Sequence, residues 1–177
     1  MEATGSAVPS VKDMDIYRTH YGDKMWQHAM GKADWSAKDV RENLVKDTAR
    51  LISKYREAIA SCKMPEAGFY LGVALHYFHD SWTKSHASRN ATTSEITQFF
   101  DYGAQSPRLH ADAEALLPKD KEFGELVAKT EALFRLAANR DITGIDLKAT
   151  IRNKLYPLND DAKSGGAGPY EPRNGSR

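Results

Sequence analysis

Residues 65–80 read PEAGFYLGVALHYFHD, and this stretch decides the fold. Pro65 suits the first turn of a helix, where its missing N–H is not needed. Phe69, Leu71, Val73, Ala74, Tyr77 and Phe78 then cover most sides of that helix. A helix apolar nearly all round belongs at the centre of a core. His76 and Asp80 interrupt it. Their i,i+4 spacing points both from one helix face. An unpartnered polar group in that setting costs on the order of 1–3 kcal/mol. The pair therefore needs partners, and a cation is one.

Working outward, the pattern stays helical. Ser36 followed by Asp39 reads as a capping box. Val40, Leu44, Thr48, Leu51, Tyr55 and Ile59 follow at helical spacing, up to about Cys62. Thr92 and Glu95 read as another capping box, with Ile96, Phe99 and Phe100 behind it. Ser106-Pro107 starts a short helix to Leu117. Asp120 caps a longer one through Leu126, Leu133 and Leu136 to about Asn139. A last helix spans about Ile145 to Leu155. No segment alternates with period 2, and no internal repeat is present. Residues 1–35 give only a short helical hint near Met25. The expectation is an all-α fold: one compact multi-helix domain over 1–158. From Asn159 the chain is mostly Asp, Ser, Gly, Pro and Asn, so residues 159–177 are expected to form a disordered tail.

A chain of 177 residues can bury a real core. Lys plus Arg number 25 against 24 Asp plus Glu, so no global field draws it to nucleic acid or an anionic membrane. One cysteine, Cys62, excludes an internal disulfide and reads as a half-buried small residue. No run approaches the ~18 apolar residues of a membrane span. Met1 to Pro9 lack the pattern of a secretory signal. The expectation is synthesis in the cytoplasm, with any export by a specialised system.

Six histidines occur, at 20, 28, 76, 79, 86 and 110. His110 and Glu114 repeat the i,i+4 geometry of His76 and Asp80 on a second helix. An imidazole and a carboxylate one turn apart can grip a borderline cation such as zinc. Such pairs also arise on ordinary helix surfaces, and the apolar setting of His76 and Asp80 is what favours a metal here. His86 lies ten residues after His76, about 280° further round a regular helix at roughly 100° per residue. Either the helix ends near Trp82, or His86 serves a second ion with Asp80 bridging. The second option suits in-line phosphoryl displacement.

The stretch 67–80, AGFYLGVALHYFHD, resembles the bacterial zinc-dependent phospholipase C family, which is similar in fold to the fungal zinc-dependent single-strand nucleases. The spacing H-x-x-x-D-x-x-x-x-x-H of that family is met by His76, Asp80 and His86, and its later H-x-x-x-(E/D) by His110 and Glu114. The resemblance covers roughly residues 15–115. It implies an all-helical fold with two or three zinc ions and Asp80 as the bridging catalytic carboxylate. His86, His110 and Glu114 would surround one zinc. His76, Asp80, an upstream His and an upstream Asp would hold another. Residues 15–21, DIYRTHY, look like the family's segment carrying that His, which makes His20 the choice and His28 the alternate; Asp13 stands for the upstream Asp. The family's third zinc uses a mature N-terminal residue that Met1 does not match, so the third site is expected to be absent or built differently. His79 is expected at the surface or behind the ligands.

These expectations define a zinc-dependent phosphodiester hydrolase. Lys84 and Arg89 are candidates for holding the substrate phosphate. A phospholipid substrate would require peripheral membrane contact. A nuclease of the same fold is the alternative, with Trp82 or Tyr102 stacking a base. A toxin-like core without a signal implies a delivered effector, with an immunity or delivery protein as partner. Two further readings remain: an HD-type phosphohydrolase using His79-Asp80, and a metal-stabilised binding module without turnover.

Overall fold

A computed structural model describes residues 20–116 and 120–172. The chain is mostly helical, with one small sheet. A 3-10 helix, Gly22–His28, leads into α1 (Ala37–Ala60) and α2 (Met64–Asp80). Strands β1 (Ala87–Arg89) and β2 (Ile96–Phe99) follow, then α3 (Pro107–Glu114), α4 (Asp120–Ala138) and α5 (Gly144–Lys154). The chain closes with β3 (Leu158–Ser164) and a 3-10 turn, Gly168–Tyr170.

The helices form where the apolar spacing places them. Ser36 caps α1 by accepting from the Asp39 N–H at 3.0 Å, and its hydroxyl donates to the Asp39 carboxylate at 2.7 Å. The two contacts satisfy a donor that a helix start otherwise leaves open. Val40, Leu44, Thr48, Leu51 and Ile52 are buried along α1. They pack on Val73, Ala74, Tyr77 and Phe78 of α2, on Leu133, Leu136 and Ala137 of α4, and on Leu147 and Ile151 of α5. α2 runs along α1 and also meets α4 and the first 3-10 helix, but Phe69, Leu71 and Leu75 are only partly buried, and α1, which touches α2, α4, α5, β2, β3 and the first 3-10 helix, is the hub of the core. Cys62 is exposed rather than half-buried; it takes φ +55° just past α1.

The sheet departs from the all-α expectation. β1 pairs antiparallel with β2, and β2 parallel with β3. Thr92 and Glu95 do not cap a helix. Instead, Asn90 Oδ1 accepts from the N–H groups of Thr92 and Thr93, and Ser94 adopts φ +60°. This Asx turn feeds Ile96–Phe99 into a four-residue strand, too short for periodicity to reveal. The polar tail expected from Asn159 is also corrected: Leu158–Ser164 is β3, paired through Ile96↔Leu158 and, past an irregularity, through Phe99↔Ser164. Only Leu158 and Ala162 of this strand pack on the core, and the rest is held through backbone pairing, so its polar composition hid it. Beyond it, Ala167 is buried. No helix among the described residues is long and apolar enough to cross a membrane.

Candidate metal centre

The end of α2 builds the first half of the site. His76 Nε2 and Asp80 Oδ2 lie 3.4 Å apart, one turn from each other. His28, the last residue of the first 3-10 helix, brings Nδ1 to 2.9 Å from the same Oδ2. α2 stops at Asp80, and the turn after it is closed by Trp82 N–H to His79 O, Thr83 N–H to Asp80 O and His86 N–H to Thr83 O. The helix ends, and the turn carries His86 back so that Nδ1 stands 3.4 Å from Asp80 Oδ2, while its ring falls in the second ligand group; the two options are therefore compatible. The other ring nitrogen, Nε2, is 3.1 Å from Glu114 Oε1.

α3 builds the second half. His110 Nε2 is 3.0 Å from Glu114 Oε1. His20 stacks on His28, with ring centroids 3.7 Å apart, and meets His86 and His110 edge-on. Two groups result: His28, His76 and Asp80, and His20, His86, His110 and Glu114. Within each, one donor atom per residue lies within 4.8 Å of all the others. His86 and Asp80 join the groups into one continuous cluster.

Three features fit a cation. His76 Nε2 and His86 Nδ1 are buried without a hydrogen-bond partner, and both face Asp80. An orphaned buried nitrogen of this kind costs free energy unless a cation or a proton meets it. The donor set, imidazoles and carboxylates, is one that zinc accepts. Third, buried Gln105 fixes the tautomer of His110. Its amide nitrogen donates to Ser85 O at 2.6 Å, so its Oε1 is left to accept from His110 Nδ1. His110 Nε2 then presents a lone pair towards Glu114.

The electrostatics agree. Burial opposes the charge on Asp80, but the hydrogen bond from His28 and the close approach of His86 outweigh it and hold the carboxyl well below the usual range. Glu114 is held at about 2, first by its hydrogen bond with His86. Burial opposes protonation of His86, yet Asp80 and Glu114 on either side raise it to about 9. Burial and the neighbouring histidines lower His20 to about 4, and burial also lowers His76 and His110. The site thus keeps two carboxylates ionised and His20, His76 and His110 neutral, the protonation a metal requires, whereas His86 is charged at neutral pH and would have to release its proton to a cation.

Comparison with protein-family models, with curated proteins and with solved structures finds no match to this chain. The site is therefore read on its own geometry.

The structure brings together His20, His76, Asp80, His86, His110 and Glu114. It seats His28, the alternate, beside His76 and Asp80, and places His20 in the other group. Asp13 lies outside the described residues. His79 Nε2 meets Thr130 Oγ1 at 3.1 Å and lies outside both ligand groups, so the two residues of the His79-Asp80 dipeptide face different neighbours. Lys84 pairs with Glu122 at 3.3 Å. The Arg89 guanidinium donates to the Ser81 carbonyl and hydroxyl and to the Ser94 carbonyl, away from the expected place beside the metal ligands. Tyr102 stands at the site, its ring 4.6 Å from His110 and 4.8 Å from Tyr21. Trp82 is buried against Phe78. Gln105 was not legible beforehand, since its role needs α3 and the turn at Ser85 in place.

Proposed function

We propose that this chain is a zinc-dependent phosphodiester hydrolase, phospholipase C-like in its substrate. One observation carries the reading: Asp80 Oδ2 lies within 3.4 Å of ring nitrogens of His28, His76 and His86, while His86 reaches Glu114 with its other nitrogen. Two adjoining ligand groups that share a carboxylate–imidazole link are what a two-ion centre needs. Bound zinc supplies a water of pKa near ~7 and a positive counter-charge for phosphoryl oxygens. The chain's own part is to hold the ligands. Asp80 stays ionised between three imidazoles, and Gln105 orients His110. The phospholipid substrate rests on the resemblance of residues 67–80 to the phospholipase C family.

Tyr102 and Tyr21 favour a second reading. An aromatic pair beside the ligands suits stacking of a nucleobase, and so a single-stranded nucleic acid substrate. Metal analysis joined to a screen of phosphatidylcholine, other phospholipids and single-stranded DNA tests both. The wild type is expected to hold zinc and cleave one class, with His76→Ala and His110→Ala losing metal and activity. A metal-free wild type whose behaviour neither substitution alters would overturn the proposal.

A further inference from the structure

A cavity of about 250 Å³ opens between the turn after α2, β1, the first turns of α4 and the Gly168–Tyr170 turn. No histidine lines it, so it is not the metal centre. Its apolar walls are Trp82, Phe100 and Tyr170, and its cations are Lys84, Arg89 and Lys121. The Gly168–Tyr170 turn is fitted closely to Phe100: a Cβ on Gly168 would stand 2.5 Å from that ring.

The polar groups in this cavity are not balanced. Two carboxylates line it, Glu122 and Glu125, against three cations, leaving one positive charge over. Glu122 is engaged by Lys84 at 3.3 Å. Glu125 accepts from the Ser94 hydroxyl. Arg89 stands over the Trp82 ring at 4.2 Å and makes three hydrogen bonds, all to Ser81 and Ser94. A guanidinium has five N–H groups, so two remain. Trp82 Nε1 is buried with no hydrogen-bond partner. If Arg89 served only to clasp the turn after α2, its three bonds would be explained. The surplus positive charge beside an apolar wall would not.

We propose that this cavity binds a small organic anion with a flat apolar body, of the aryl carboxylate or sulfonate class. The anionic group meets Arg89 and Lys121, and the ring lies among Trp82, Phe100 and Tyr170. The site stands independently of the metal reading.

The probe is 2-naphthoate, titrated into the full chain with zinc present and again in chelator. Saturable one-to-one binding is expected in both, by calorimetry. The Trp82 indole N–H resonance, assigned among three tryptophans by Trp82→Phe, is expected to move. The uncharged isostere 2-naphthamide is expected to bind at least about 10-fold more weakly, since it lacks the charge that the surplus cation recognises. Lys121→Glu, at an exposed position where folding is not at stake, is expected to weaken naphthoate by about 10-fold and to leave naphthamide unchanged. Absence of saturable binding, equal binding of naphthamide, or loss of binding in chelator would each overturn the proposal; the last would place the anion at the metal centre instead.

Discussion

Gln105 Oε1 accepts from His110 Nδ1 at 2.5 Å, and the same side chain is pinned by its donation to Ser85 O. An outer residue therefore decides which nitrogen of His110 faces Glu114. Such partners typically change metal affinity 10–100-fold when removed. Gln105→Leu is expected to weaken zinc binding by about that factor, measured by competition with a chromophoric chelator. Unchanged affinity would mean that His110 needs no orienting partner or is no ligand.

The second expectation concerns which upstream histidine serves which ion. His28 sits against Asp80 and His76, and His20 sits with His86, His110 and Glu114. His28→Ala and His20→Ala should each lower the zinc content by one ion per chain, read by atomic emission, and should disturb different groups. Paired with His76→Ala, His28→Ala should remove no further ion; paired with His110→Ala, it should leave the protein metal-free. Full metal content in His28→Ala would return the role to the residue that resemblance favoured.

How much of this was legible follows from the range of each interaction. The caps and apolar stripes of α1 and α2 are local, so Ser36, Asp39 and the i,i+4 pairs announced themselves. The position of His86 depended on where α2 stops, which spacing could not fix; the turn bonds at Trp82 and Thr83 place it. His28 belongs to a 3-10 helix with no apolar period to read, and it meets Asp80 across fifty-two residues of chain. β3 is mostly polar, with only Leu158 and Ala162 packed on the core, and it pairs with β2 through its backbone, so composition pointed the wrong way.

The segment after β3 offers a stability test. Gly165 has φ +88°, and a Cβ there would lie 2.3 Å from the Ala33 Cα. Gly165→Ala thus combines a left-handed backbone, costing roughly 1–2 kcal/mol, with overpacking of about 1–3 kcal/mol. A loss of roughly 2–5 kcal/mol is expected in urea unfolding. Gly124, inside α4 with open space at its Cβ, is the control: Gly124→Ala should stabilise by roughly 0.5–1 kcal/mol through helix propensity. If both behaved alike, the docking of the chain beyond β3 onto Ala33 would be wrong.

Glu42 and Arg152 tie α1 to α5 through two hydrogen bonds, of 2.8 and 2.6 Å. The bond from Arg152 is the main reason the Glu42 carboxyl lies below its ordinary value of 4.5, with burial working against it. A depressed carboxylate stabilises the fold above its unfolded value and loses that contribution as pH falls through the folded one. The effect therefore fades as pH drops below about 4.5, not as it rises. The pair is partly exposed, so screening limits it to about 0.2–1 kcal/mol. Glu42→Gln should lower stability by that amount at pH 7, and the gap to the wild type should narrow as pH falls below the ordinary value of 4.5, in parallel urea melts at low salt. A difference that persisted undiminished at pH 3 would show that Glu42 acts by packing or neutral hydrogen bonding and not by charge.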